Sequence, residues 1–272
     1  MKSRSTTPSP LAVLLACAVA ATLLGGCTTT TTTNTATGEV KTQSDSSDPE
    51  KRAKVRLELA LSYFERGQNE TALDEVKQAL AADPKLGPAF NLRGLIYATM
   101  GELQLAEDSF QRALQLNARD GDSMHNYGWF LCQQGRYADA HRQFDAAMAM
   151  TNYREVPRTL LAQGVCFGRE KRWDQAEAAL TRAYSFDADN PVVGYNLSDV
   201  LYRRGEYERA RFFVRRINQS KEYSNAQTLW LAMRIENRIG NRPAVATLGQ
   251  ELRERYPQAR ETAAFERGRF DD

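Results

Sequence analysis

The chain has 272 residues, 42% of them hydrophobic, and carries 36 lysines and arginines against 34 aspartates and glutamates. This near balance excludes nucleic acid as a partner, because binding a phosphate backbone needs a clear basic surplus. The charge is unevenly placed, with 15 basic and 10 acidic residues from Arg203 onward. That asymmetry fits either a solvated surface or a basic docking end.

In chain order, Lys2 and Arg4 precede an apolar run from Leu11 to Leu24, too short to span a bilayer and of the length found in a signal peptide. The run ends in Leu24-Gly25-Gly26-Cys27, which resembles the bacterial lipobox. Residues 1–26 are therefore expected to be removed and Cys27 to become a lipidated N-terminus carrying acyl chains such as palmitate. The other reading is an ordinary signal peptide that happens to contain a cysteine. At about 0.8 kcal/mol per buried methylene, even two acyl chains anchor a protein firmly. Thr28 stands where an aspartate would resemble an inner-membrane retention signal. The expected location is thus the outer membrane of a Gram-negative bacterium, lipid-anchored, with the folded part in the periplasm. Residues 27–49 hold almost no large apolar side chains and are expected to form a disordered tether.

From residue 50 a repeat takes over. Glycine recurs at Gly67, Gly101 and Gly135, 34 residues apart each time, and returns at Gly205 and Gly240. A period of that length marks a stacked array. With this glycine as position 15, position 8 is Ala60, Gly94, Gly128, Gly164 and Ser198, and position 20 is Ala72, Ala106, Ala140, Ala176 and Ala210. Position 27 is Ala79, Ala113, Ala147 and Ala183. Large apolar residues occupy position 11 (Tyr63, Tyr97, Leu131, Phe167, Leu201) and position 24 (Val76, Phe110, Phe144, Leu180, Val214). Two extra residues fall within Thr151 to Pro157, lengthening the turn between the third and fourth units.

This pattern resembles the tetratricopeptide repeat, whose small residues let two helices of a unit pack closely while larger ones fill between them. The resemblance implies an all-α, right-handed superhelical solenoid of six repeats, twelve antiparallel helices over residues 50–258. The units lie near 53–86, 87–120, 121–156, 157–190, 191–225 and 226–258, with 259–272 left as a C-terminal tail or short capping helix. The sixth unit keeps Gly240 and Pro257 but has Met233 and Val245 at small positions, a degeneracy usual in a terminal unit.

Such arrays bind other proteins along a concave surface lined by helix A of each unit. The positions facing that groove hold Asn91 and Leu95; Asn126, Trp129 and Gln133; Arg158, Leu161 and Arg169; Tyr195, Asn196, Asp199 and Tyr202; and Trp230 with Arg234. Aromatic and arginine side chains are the types that anchor interfaces. Packing against the neighbouring repeat is the competing role for Trp129, Tyr195 and Trp230. Asn126 and Asn196 share position 6, from which an amide can bond the backbone of an extended ligand. The lysines of a carboxylate clamp are absent, which disfavours a C-terminal acidic peptide as ligand.

Once Cys17 has left with the signal and Cys27 is acylated, Cys132 and Cys166 remain, on helix A of adjacent units. In an oxidising periplasm they are expected to form a disulfide, the alternative being two buried thiols. His125 and His141 lie near Cys132 but match no zinc spacing, and no phosphate loop, nucleophile elbow or paired carboxylate occurs. The chain therefore reads as a binding protein, not an enzyme, with no cofactor, metal or small-molecule substrate.

Three stretches are more specific than the generic repeat: HNYGWFLCQQGRYADAHRQFDAAM, NYREVP followed by LLAQGVC, and WLAMRIENRIGNRPAVATLGQELRERYP. They resemble the PilW/PilF family of type IV pilus biogenesis and stability lipoproteins. That resemblance implies a pilotin, which binds secretin subunits and promotes their outer-membrane localisation and multimerisation. The competing reading is a periplasmic adaptor lipoprotein that scaffolds cell-wall hydrolases or outer-membrane assembly factors.

Overall fold

The computed structural model describes residues 48–270, so the signal peptide, Cys27 and nearly all of the tether lie outside the described residues. Among the described residues there are thirteen α-helices and no strand. They run in pairs: α1 (Pro49–Glu65) and α2 (Asn69–Ala82), α3 (Gly87–Met100) and α4 (Leu103–Leu116), α5 (Gly121–Gln133) and α6 (Tyr137–Met148). The series continues with α7 (Val156–Arg169) and α8 (Trp173–Phe186), α9 (Pro191–Arg203) and α10 (Tyr207–Asn218), α11 (Ala226–Ile239) and α12 (Arg242–Arg255). A last short helix, α13 (Arg260–Glu266), follows the sixth pair.

The small and large positions of the repeat explain why each pair closes. A Cβ on Gly94 would lie 2.7 Å from the Phe110 ring, one on Gly128 2.9 Å from Phe144, and one on Gly164 2.6 Å from Leu180. Each glycine thus admits the large residue of helix B at close range, and Phe110, Phe144 and Leu180 are fully buried there. In the fifth unit Ser198 takes the glycine's place and satisfies its own hydroxyl by donating to the Ala210 carbonyl at 2.8 Å. Met233 of the sixth unit is also fully buried, so this degenerate position still serves the core.

Between the two helices of a pair the chain reverses at a left-handed residue. Gly67, Gly101, Gly135, Gly205 and Gly240 have φ between 72° and 84°, a conformation that costs glycine nothing. In the fourth unit the equivalent residue is Lys171, at φ 62°. Side-chain caps start four of the A helices, with Asp48, Asp120, Asn190 and Asn225 each accepting from backbone amides of the first turn.

The backbones of successive A helices, α1, α3, α5, α7, α9 and α11, approach one another closely along the array, whereas among the described residues those of successive B helices stand farther apart and meet only through side chains, as Tyr184 of α8 meets Phe213 of α10. The A helices therefore form the inner, more tightly curved face. The longer connection after the third unit is pinned to this framework: Tyr153 lies over Gly121, and its hydroxyl is 2.7 Å from Thr159 Oγ1. At the far end α13 packs on α11 and α12, with Phe265 set against Gly249, where a Cβ would sit 2.2 Å away. This helix forms a cap over the sixth unit.

Candidate protein-binding groove

The inner face is not uniformly open. In its first half Asn126 is buried, and its amide is already in use: it donates to Asn91 Oδ1 at 3.1 Å and accepts from Arg158 at 3.1 Å. These three side chains link α3, α5 and α7, so Asn126 does not present a free amide to a ligand backbone. Leu95 is half-buried between the first two core clusters, and Leu161 between two later ones. Gln133 is exposed at the end of α5. Trp129 is half-buried against the core of the third unit, and Arg169 of the next unit lies over its ring, 5.1 Å from the centroid.

Cys132 and Cys166 are joined by a disulfide between α5 and α7, with Cα atoms 5.9 Å apart. Both are buried, so the bond lies beneath the groove floor and ties its third and fourth units together. Close by, the His125 ring meets Thr159 Oγ1 at 2.8 Å. Burial, with Arg158 adding to it, lowers the pKa of His125 to about 4, so the ring is neutral at physiological pH. His141 stacks on Phe167 with ring centroids 3.8 Å apart, and burial lowers its pKa despite the Glu170 carboxylate 3.1 Å from its Nε2. Both histidines are therefore packing groups between units, and repeat spacing alone gave no sign of this.

The second half holds two recesses with strongly charged linings. A recess of about 370 Å³ lies between α7 and α9, lined by Arg169, Lys171, Trp173, Asn196 and Arg203 among others. A second, of about 450 Å³, lies between α9, α11 and α13, lined by Tyr195, Trp230, Arg234 and Glu261 among others. Asp199 and Arg203 line both, so the two recesses adjoin along α9 and together make up a trough. Asn196 donates within its own helix to the Val192 carbonyl at 2.8 Å. Burial pushes the Tyr195 phenol above its ordinary pKa.

Two expected groove residues are covered. Tyr202 is only 7% exposed and belongs to the core, with Tyr207 and the Arg234 guanidinium packed against its ring. Trp230 is stacked on Phe270, whose backbone carbonyl accepts from Arg234 at 3.0 Å. The segment after α13 thus folds back onto the inner face of the sixth unit.

The arginine-rich stretch from Arg203 to Arg216 is largely committed to ion pairs. Arg204 and Arg209 both reach Glu177 and Glu206, and Arg216 reaches Asp189. Arg211 and Arg215 hold Glu236, a carboxylate only 2% exposed that also accepts from Asn241. Removing the arginines would leave that charge buried and uncompensated, so their first role is to join α10 to α11.

Comparison with known proteins agrees with this architecture. Tetratricopeptide repeat models match residues 57–122, 131–191, 109–142 and 169–229, together spanning 57–229. The chain is 29% identical over 210 residues to the type IV pilus assembly protein PilF of Pseudomonas aeruginosa, covering 77% of this chain and 83% of PilF. Its fold matches the crystal structure of PilW, a widely conserved type IV pilus biogenesis factor, with a TM-score of 0.75 at 25% identity, over 79% of this chain and 98% of PilW. The Pseudomonas aeruginosa PilF structure matches with a TM-score of 0.71 at 27% identity, over 81% of this chain and 99% of that one.

Proposed function

The chain belongs to the tetratricopeptide-repeat family and is homologous to PilF, and on that premise we propose that it is an outer-membrane lipoprotein of type IV pilus biogenesis acting as a pilotin. The observation that carries this reading is the shared repeat array, matched over nearly the whole of PilW and PilF. The mechanism is binding. An acyl group on Cys27 confines the protein to a surface, the tether gives the array reach, and the groove engages secretin subunits. Confinement raises the effective concentration of groove near subunit, so modest contacts suffice for capture. The inner face offers half-exposed aromatic anchors of the right type in Trp129 and Tyr195, with Asn91 and Gln133 as polar neighbours. Nothing in this mechanism requires a cofactor or a covalent step.

Deletion of the gene tests the reading. Loss of SDS-resistant secretin multimers from the outer membrane, restored by the wild-type protein, is the expected result. Normal multimers together with normal surface pili would refute it.

A further inference from the structure

The trough over the fourth to sixth units has a chemistry of its own, distinct from the amide-rich first half. Its lining carries Arg169, Lys171, Arg203, Arg234 and Arg260 against Asp199 and Glu261. Two of these cations are answered locally, Arg203 by Asp199 at 2.8 Å and Arg260 by Glu261 at 2.9 Å. Among the described residues Arg169, Lys171 and Arg234 have no carboxylate within ion-pair distance. Aromatic faces are interleaved with the arginines: Arg203 lies 5.7 Å from the Trp173 centroid, Arg169 5.1 Å from Trp129 and Arg234 4.6 Å from Tyr202. Stacking holds these guanidinium groups in place. Arg203 already donates to Asp199 and Arg234 to the Phe270 carbonyl, so Arg169 is the stacked arginine whose charge is unanswered among the described residues.

Lys171 is the second and independent sign. Five of the six units turn at glycine, and the fourth alone forces a lysine into the left-handed region, at φ 62°. Side chains other than glycine are disfavoured there, and such residues persist mainly where the local structure serves a function. The residue lines the trough, and its charge adds to the basic excess there.

The trough also shows what kind of segment it accepts. At its far end Phe270 stacks on Trp230 with centroids 5.4 Å apart, while its carbonyl accepts from Arg234. In sequence Phe270 is followed by Asp271 and Asp272. An aromatic side chain on the tryptophan, with its backbone read by an arginine, is a pattern that a partner's peptide can repeat further along the trough.

We infer that the inner face of the fourth to sixth units is a docking trough for an acidic peptide segment bearing an aromatic residue, supplied by a partner protein. Charge complementarity selects the acidic residues, and Trp173, the lining indole that Phe270 does not occupy, selects the aromatic one. The groove alone carries this inference, so peptide binding and secretin multimerisation are read separately.

The test uses the folded, unlipidated chain and a labelled synthetic peptide alternating Phe and Asp, with an Asn-for-Asp version as control, followed by fluorescence anisotropy. The Asp peptide is expected to bind at least about tenfold more tightly than the control, the size of one charge-assisted contact, and to weaken as salt is raised. Arg169→Gln should weaken it severalfold with an unchanged melting temperature. Lys171→Gly should weaken it while raising the melting temperature, an opposite pair of changes that a purely structural lysine would not produce. Equal affinity for the two peptides, or full affinity in both variants, would overturn the inference.

Discussion

Acidification should loosen the junction between the third and fourth units, and His125 sets the size of the effect. Its ring is 5% exposed, lies 6.0 Å from the Phe144 ring and faces Thr159, itself fully buried and bonded to Tyr153 of the inserted loop. The folded-state pKa of about 4 stands below the ordinary 6.5, so above pH 6.5 the ring is neutral in both folded and unfolded chains and exerts no pH effect. As pH falls below 6.5 the unfolded chain takes up the proton first, and the folded chain resists it until about pH 4. Stability therefore declines across that window, by 1.36 kcal/mol per pH unit at most, reaching about 3 kcal/mol at pH 4. His141, also lowered, adds in the same direction. Because a repeat array opens unit by unit, the appropriate assay is amide hydrogen exchange read at α5 and α7 at neutral and at acidic pH. The comparison is with His125→Gln, which keeps a polar contact for Thr159 and removes the titration. Protection in the wild type should fall by about two orders of magnitude more than in the variant. Identical pH dependence in the two proteins would refute the reasoning.

Three further outcomes are expected. The disulfide closes a separation of 34 residues, so replacing Cys132 and Cys166 by Ala should lower stability by about 3 to 4 kcal/mol on the loop-entropy account, measured by urea denaturation; free thiols in protein trapped from intact cells would contradict the bond in the cell. Gly128→Val drives a side chain into Phe144 and the Ala140 carbonyl, and should cost about 3 kcal/mol or more, with a melting shift far larger than for Ala substitution at the exposed Gln133. Cys27→Ala should move the protein from membrane to soluble fractions, and a variant that stays wholly membrane-bound would sink the anchor.

The repeat was legible because helix pairing depends on short-range volume. Gly94, Gly128 and Gly164 stand sixteen residues before Phe110, Phe144 and Leu180, and that spacing is enough to place one against the other. The proposed groove was legible only as a set of positions. Asn126 and Tyr202 have the residue types of binding anchors, yet Arg158 and Arg234, each from the next A helix, cover or occupy them. Neighbouring units decide such contacts, and a pattern read one unit at a time does not register them.

Glu236 shows the same limit. It lies at an ordinary helical position, and only the approach of Arg211 and Arg215 from α10 makes it a buried, paired charge. The fold of Phe270 over Trp230 likewise depends on α13 docking against Gly249, which no repeat position foretells. By itself, then, the amino-acid order determined the helices, their pairing and the face that each unit turns inward, because these follow from local periodicity and the fit of adjacent side chains. Which inner-face residues remain open, and that the open ones gather into a basic trough over the last three units, was decided only when the units stacked, since exposure and net field are properties of residues brought together from distant parts of the chain.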